Sequence, residues 1–137
     1  MKAIKIAVVA LLAYAGLVTA FESLIGFMQP TPDSTIVITT LDEAGAPHDR
    51  VVTRLVSDGQ IYVAANHWPR AWYHRALQNP HVQVAIDGVK GDFIAVPVTG
   101  AEHDRVESEH PHSFGFRFMT GFPPRYFVRL DPAAPVK

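Results

Sequence analysis

The residues best equipped for chemistry are concentrated in Asn66–Pro80, N-H-W-P-R-A-W-Y-H-R-A-L-Q-N-P, which holds two tryptophans, a tyrosine, two histidines and two arginines. Flat aromatic surface beside cationic donors suits a planar, anionic ligand. Pro69 fits the first turn of a helix, where a missing N–H costs nothing, and Asn66 is a suitable cap just before it. Asn79-Pro80 stops that helix, because the residue before a proline is pushed out of the α region. Along it Trp68, Trp72 and Ala76 share one face, while Arg70 and His74 share another. A plain packing role competes with ligand binding: the tryptophans would then plug the end of a β-domain.

The elements that must position this helix are strands. From Ser34 onward short β-branched runs alternate with turns: Ser34–Thr40, Arg50–Val56, Gln60–Ala65, His81–Asp87, Asp92–Val98 and Arg125–Leu130. Leu41–Pro47, Ser57-Asp58-Gly59 and Gly88–Gly91 carry the Asp, Gly and Pro of hairpin turns. Six strands at hairpin spacing with one short helix inserted midway predict a mainly β fold, a small six-stranded antiparallel barrel, whose closure removes exposed edges. Ala101–Glu107 reads as one or two helical turns and Pro111–Pro124 as a long loop.

Composition bounds the rest. The chain has 137 residues, 48% hydrophobic and 18% charged, with a net charge of −1. That suits one barrel domain and leaves no basic footprint, so nucleic acid is not an expected partner. The absence of cysteine removes thiolate catalysis and disulfides. His110-Pro111-His112, with His103, Glu107 and Glu109 nearby, has ligand types for zinc or non-haem iron. No H-E-x-x-H or comparable spacing occurs and Pro111 disrupts a helical arrangement, so no metal is expected.

Residues 1–30 read differently from residues 31–137, the barrel domain. Lys2 and Lys5 precede Ile6–Phe21, an uncharged run, and Leu24–Met28 resumes the apolar character after Glu22 and Ser23. As one helix, Ile6–Met28 is about 34 Å long at 1.5 Å per residue, enough to span a bilayer. The reading adopted is a retained anchor. Val18-Thr19-Ala20 keeps open the alternative, a leader cleaved near Ala20 that leaves a secreted or periplasmic domain. No Lys or Arg follows the run until Arg50, so the positive-inside rule puts the N-terminus in the cytoplasm and the C-terminal domain on the extracytoplasmic side.

One string carries a family resemblance. Ala71-Trp72-Tyr73-His74, then Asn79-Pro80, then a Val-x-Val strand, resembles the deazaflavin (F420)-dependent nitroreductase family of the split-barrel flavin-binding superfamily, alongside pyridoxamine-phosphate-oxidase-like enzymes. Thr39-Thr40, Gly45 and Arg125–Leu130 occupy the family's other places in order, so the resemblance covers roughly Ser34 to Pro132. It implies a split barrel, often paired as a homodimer, that transfers hydride between F420 or FMN and a small organic acceptor of quinone or nitro type. The cofactor carries that chemistry, so the protein must clamp a phosphate tail, wall the ring and exclude water.

The site that the resemblance implies comprises Arg50, Asn66, His67, Trp68, Arg70, Trp72, Tyr73, His74 and Arg75, with no catalytic residue assigned. Trp68, Trp72 and Tyr73 would supply the wall; Asn66, His67 and His74 would donate to ring carbonyls. The family's first turn offers Gly-Arg-Lys-Ser-Gly to the phosphate, whereas this chain has Asp42-Glu43-Ala44-Gly45, so replacement cations are needed. Arg50 and Arg54 share a strand face with Val52 between them, and Arg75 stands where the family has asparagine. Export of such a domain conflicts with a cofactor made inside the cell. Two other classes remain open: a non-catalytic split-barrel module for a hydrophobic or haem-like ligand, and an envelope domain without a ligand.

Overall fold

The computed structural model describes residues 1–27, 34–65 and 71–133. They form α1 (Lys2–Phe27), β1 (Thr35–Leu41), β2 (Pro47–Ser57), β3 (Gln60–Ala65), α2 (Ala71–Gln78), β4 (His81–Ile86), β5 (Val89–Pro97), α3 (Gly100–Glu109), α4 (Phe114–Met119) and β6 (Tyr126–Pro132). The six strands close into an antiparallel barrel in the order β1-β2-β3-β6-β5-β4. Each expected strand is present, and β3 has the expected bounds. β2 begins earlier than Arg50 because Leu41↔Pro47 and Thr40↔His48 extend its ladder with β1 up to the turn.

Alternation explains the core. On β1, Ile36, Ile38 and Thr40 are buried and the residues between them half-buried. Residues directly opposite in a ladder share a face, and Val52 of β2, Val63 and Ala65 of β3, Val82 and Val84 of β4, Ala95 of β5 and Val128 and Leu130 of β6 complete the barrel interior. Trp72 and Ala76 of α2 belong to this same cluster, with Tyr73 and Phe93 packed against it. A second cluster lies on the other face of β3 and β6, where Tyr62 and Phe127 meet Val98, just after β5, and Val106 of α3.

By contacts within the chain there are two compact units. One contains residues 30–111 and 124–137, the barrel; the other contains residues 1–29 together with 112–123. Pro111–Pro124 is not wholly a loop. Ser113 caps α4 by accepting the Phe116 N–H at 3.2 Å, and Thr120 ends it through its N–H to the Phe116 carbonyl. Phenylalanine and Gly115 have low intrinsic helix preference, which hides the helix from a periodicity reading. α1 alone among the described helices is long and apolar enough to cross a membrane: Lys2–Leu24 has mean hydropathy 2.1 and is unburied.

Candidate functional site

Of the residues expected to form the site, Asn66, His67, Trp68 and Arg70 lie outside the described residues. The other five spread over β2 and α2, and they divide by burial. Trp72 is only 4% exposed and sits in the barrel core. Its ring meets Tyr73 edge-on at 6.0 Å. Tyr73 is half-buried and stacks on Tyr126 of β6 at 5.5 Å, with 22° between the rings. His74 is exposed and meets the other edge of Tyr73 at 5.8 Å. The accessible aromatic surface at α2 therefore belongs to Tyr73 and Tyr126 rather than to Trp72. Tyr126 was not anticipated; its only sequence signal is an aromatic at the start of the last strand.

Three arginines are spread along β1 and β2. Arg75 of α2 donates its Nε–H to the hydroxyl of the fully buried Thr40 at 2.9 Å. Arg50 of β2 stands opposite Ile38, two residues back along the same face, a spacing of about 7 Å. Arg54 stands opposite Val63, again on the core-side face. Arg50 is exposed and Arg54 half-buried. Neither has a hydrogen-bonding or ionic partner among the described residues. Two guanidiniums on the core-side face of a strand, without a counter-charge, are unusual enough to look for an anion.

The first turn cannot supply that anion site. Asp42 Oδ1 accepts the Ala44 and Ala46 N–H groups, each at 2.9 Å, and Oδ2 pairs with His48 Nε2 at 2.8 Å. Gly45 makes the turn possible with φ of 80°. The His48 contact, aided by the Ala46 N–H, holds the Asp42 carboxyl below its usual range. The turn is thus filled by its own carboxylate, which uses the N–H groups that a phosphate would need.

Two other features lie away from these residues. A cleft of about 680 Å³ is lined by Thr39, Leu41, His81, Gln83, Asp92 and Phe93 among others, and none of the expected site residues that are described borders it. Under α3, Tyr62 donates to Glu102 at 2.7 Å and accepts from Arg105, while Arg129 joins Glu102 at 2.8 Å and grips both oxygens of Asp131. Every member of that network is satisfied from within, so it clamps α3 to the sheet. Two histidines of α3 and its end are used in the same way: His103 bonds the Arg125 carbonyl and His110 the Val56 carbonyl, both at 2.9 Å.

The family model for F420H(2)-dependent quinone reductase matches residues 15–112, the second half of α1 and the elements β1 through α3. The chain belongs to that family. The solved structures agree at the level of fold. An F420H2-dependent reductase (FDR-A) is 17% identical, with a TM-score of 0.59, covering 72% of this chain and 94% of its own. A pyridoxamine 5'-phosphate oxidase homologue from Listeria innocua is 15% identical, with a TM-score of 0.52 and coverage of 86% and 94%. HutZ, a haem storage protein from Vibrio cholerae, is 17% identical, with a TM-score of 0.56 and coverage of 75% and 84%. No curated protein is significantly similar to the chain. The quinone reductase family and these neighbours place the barrel among split-barrel folds of the flavin and deazaflavin oxidoreductase type.

Proposed function

We propose that this protein is a membrane-anchored oxidoreductase that binds the deazaflavin F420 and passes hydride to a small organic acceptor of quinone type. The family match over residues 15–112 carries the proposal. The bound deazaflavin, in its reduced form, would supply the hydride. The chain's own residues would hold the ligand in place. Arg50 and Arg54 are the uncommitted cations for an anionic tail, and Arg75 lies farther along β1, where it holds Thr40. Tyr73 and Tyr126 offer stacked aromatic surface, and exposed His74 beside them offers a donor. Trp72 supports α2 from the core. FMN, known here only through the wider superfamily, is the less favoured cofactor. α1 is the anchor in this reading, and two copies of the barrel pair as a homodimer.

The donor set fits an anionic ring ligand, with the phosphate contacts moved from the β1–β2 turn to β2. A charge-assisted hydrogen bond is worth roughly 1.5–3 kcal/mol, or about ten- to a hundredfold in affinity. Fluorescence titration of F420 against the full chain should give saturable binding that Arg50→Ala weakens by that factor. A phosphate-free deazaflavin should lose much less. Equal losses for both ligands would make Arg50 a structural residue, and the absence of any saturable binding would refute the assignment. The second reading, a haem-like ligand held without catalysis, draws on the HutZ fold and on exposed His74. A Soret band that shifts on His74→Ala, with no F420 binding, would favour it.

A further inference from the structure

Residues 112–123 form a compact unit with α1, and their contacts run along its second half. The Tyr14 hydroxyl donates to the Phe118 carbonyl at 2.7 Å, and the two rings lie 4.9 Å apart. Phe21 meets Phe116 edge-on at 6.1 Å. Gly121 lies so close to Val18 that an added Cβ would come within 3.2 Å of it. Tyr14 is ten residues before Leu24, the end of the apolar span. That distance is about 15 Å at 1.5 Å per residue, half of a hydrocarbon core of about 30 Å. An α1 that spans a bilayer therefore carries α4 below the interface.

The segment is built for that depth. Phe114, Phe118 and Phe122 are 74%, 41% and 43% exposed, and their rings lie 5.7–6.5 Å apart in one cluster. Arg117 is the only charge between Ser113 and Phe122, and its guanidinium lies over the Phe122 ring at 5.7 Å, a cation–π contact. Backbone polar groups in hydrocarbon must be satisfied without water, and the end of α4 meets that demand. The Thr120 hydroxyl contacts the Phe116 and Arg117 carbonyls, Phe122 N–H bonds the Arg117 carbonyl at 2.8 Å, Ser113 takes the Phe116 N–H, and Tyr14 takes the Phe118 carbonyl.

We propose that Ser113–Phe122 is a second membrane element, a re-entrant aromatic segment that dips beside α1 into one leaflet and faces acyl chains with Phe114, Phe118 and Phe122. It rests on the anchor reading of α1 and adds a lipid contact to it. The chain has no native cysteine, so single cysteines report one site each. Phe114→Cys is the main probe, since that ring is the most exposed of the cluster and pairs with Phe118 and Phe122 within it. Leu12→Cys on α1 and Ser108→Cys on α3 are the references. Each full-length variant is spin-labelled and reconstituted in vesicles of phosphatidylcholine and phosphatidylglycerol. Collision rates with oxygen and with a water-soluble nickel chelate are then compared. Position 114 should lose chelate collisions and gain oxygen collisions, as position 12 does and position 108 does not. Chelate access at 114 with position 12 protected overturns this inference and leaves the anchor standing. Chelate access at both positions overturns the two together.

Discussion

At the scale of single residues, the two arginines Arg50 and Arg75 illustrate how position decides role. Both reach β1, Arg50 opposite Ile38 and Arg75 at Thr40, yet Arg75 is bound to a buried hydroxyl and Arg50 is not. Arg75→Ala strips the buried Thr40 of its partner and should cost about 1–3 kcal/mol of stability, read as a lower melting temperature. Arg50→Ala should leave melting nearly unchanged and act on ligand affinity alone. The polar clamp under α3 gives a pH signature. Hydrogen bonds from Arg129 hold the Glu102 and Asp131 carboxyls below their usual range. Their stabilisation is present above about pH 4, the unfolded carboxyl value, and is lost as pH falls through the folded value. The hydrogen bond to the Arg125 carbonyl raises His103. Its contribution is complete below about pH 6.5 and fades as pH rises through the folded value. Melting temperature should therefore drop on strong acidification and decline mildly from near neutrality upward, and His103→Gln should abolish only the second slope.

At the scale of elements, α2 is the test of what can be read from a motif. Trp72→Ala removes a core ring and should cost about 3–5 kcal/mol, measured by thermal or urea unfolding; unchanged stability would contradict its place in the barrel. The strands were legible because alternation at period two and turn residues at each end agree: Thr35–Leu41 and Gln60–Ala65 follow directly from β-branched runs bounded by Asp and Gly. The end of α2 was legible from Asn79-Pro80. The face of each residue on α2 was only half legible, since W-Y-H places three aromatic side chains in a row and tertiary packing alone decides that Trp72 goes inward and His74 outward. α4 escaped notice because its aromatics and Gly115 lack helical preference, although Ser113 with the Phe116 N–H is a cap signal of ordinary kind. Asp42 could be seen as an acid in a phosphate turn, but its closure onto its own N–H groups depends on backbone geometry that the residue types do not specify.

At the scale of the whole molecule, the account joins an apolar α1 to a split barrel of an F420H(2)-dependent quinone reductase family. The chain should fractionate with membranes, and the absence of Lys and Arg between Lys5 and Arg50 argues for a barrel outside the cytoplasm. Reporters fused to the C-terminus check this: one active only in the cytoplasm should stay silent, and activity there would reverse the orientation. The reading of the barrel as an enzyme is tested most directly by turnover. Full-length protein in lipid nanodiscs is mixed anaerobically with reduced F420 and a lipid-soluble quinone, and the return of the oxidised deazaflavin absorbance is followed. The account predicts protein-dependent oxidation that requires the quinone and falls about ten- to a hundredfold in Arg50→Ala at limiting cofactor. Reduced F420 that stays reduced at every quinone concentration, with protein shown to be folded by its melting transition, would contradict it.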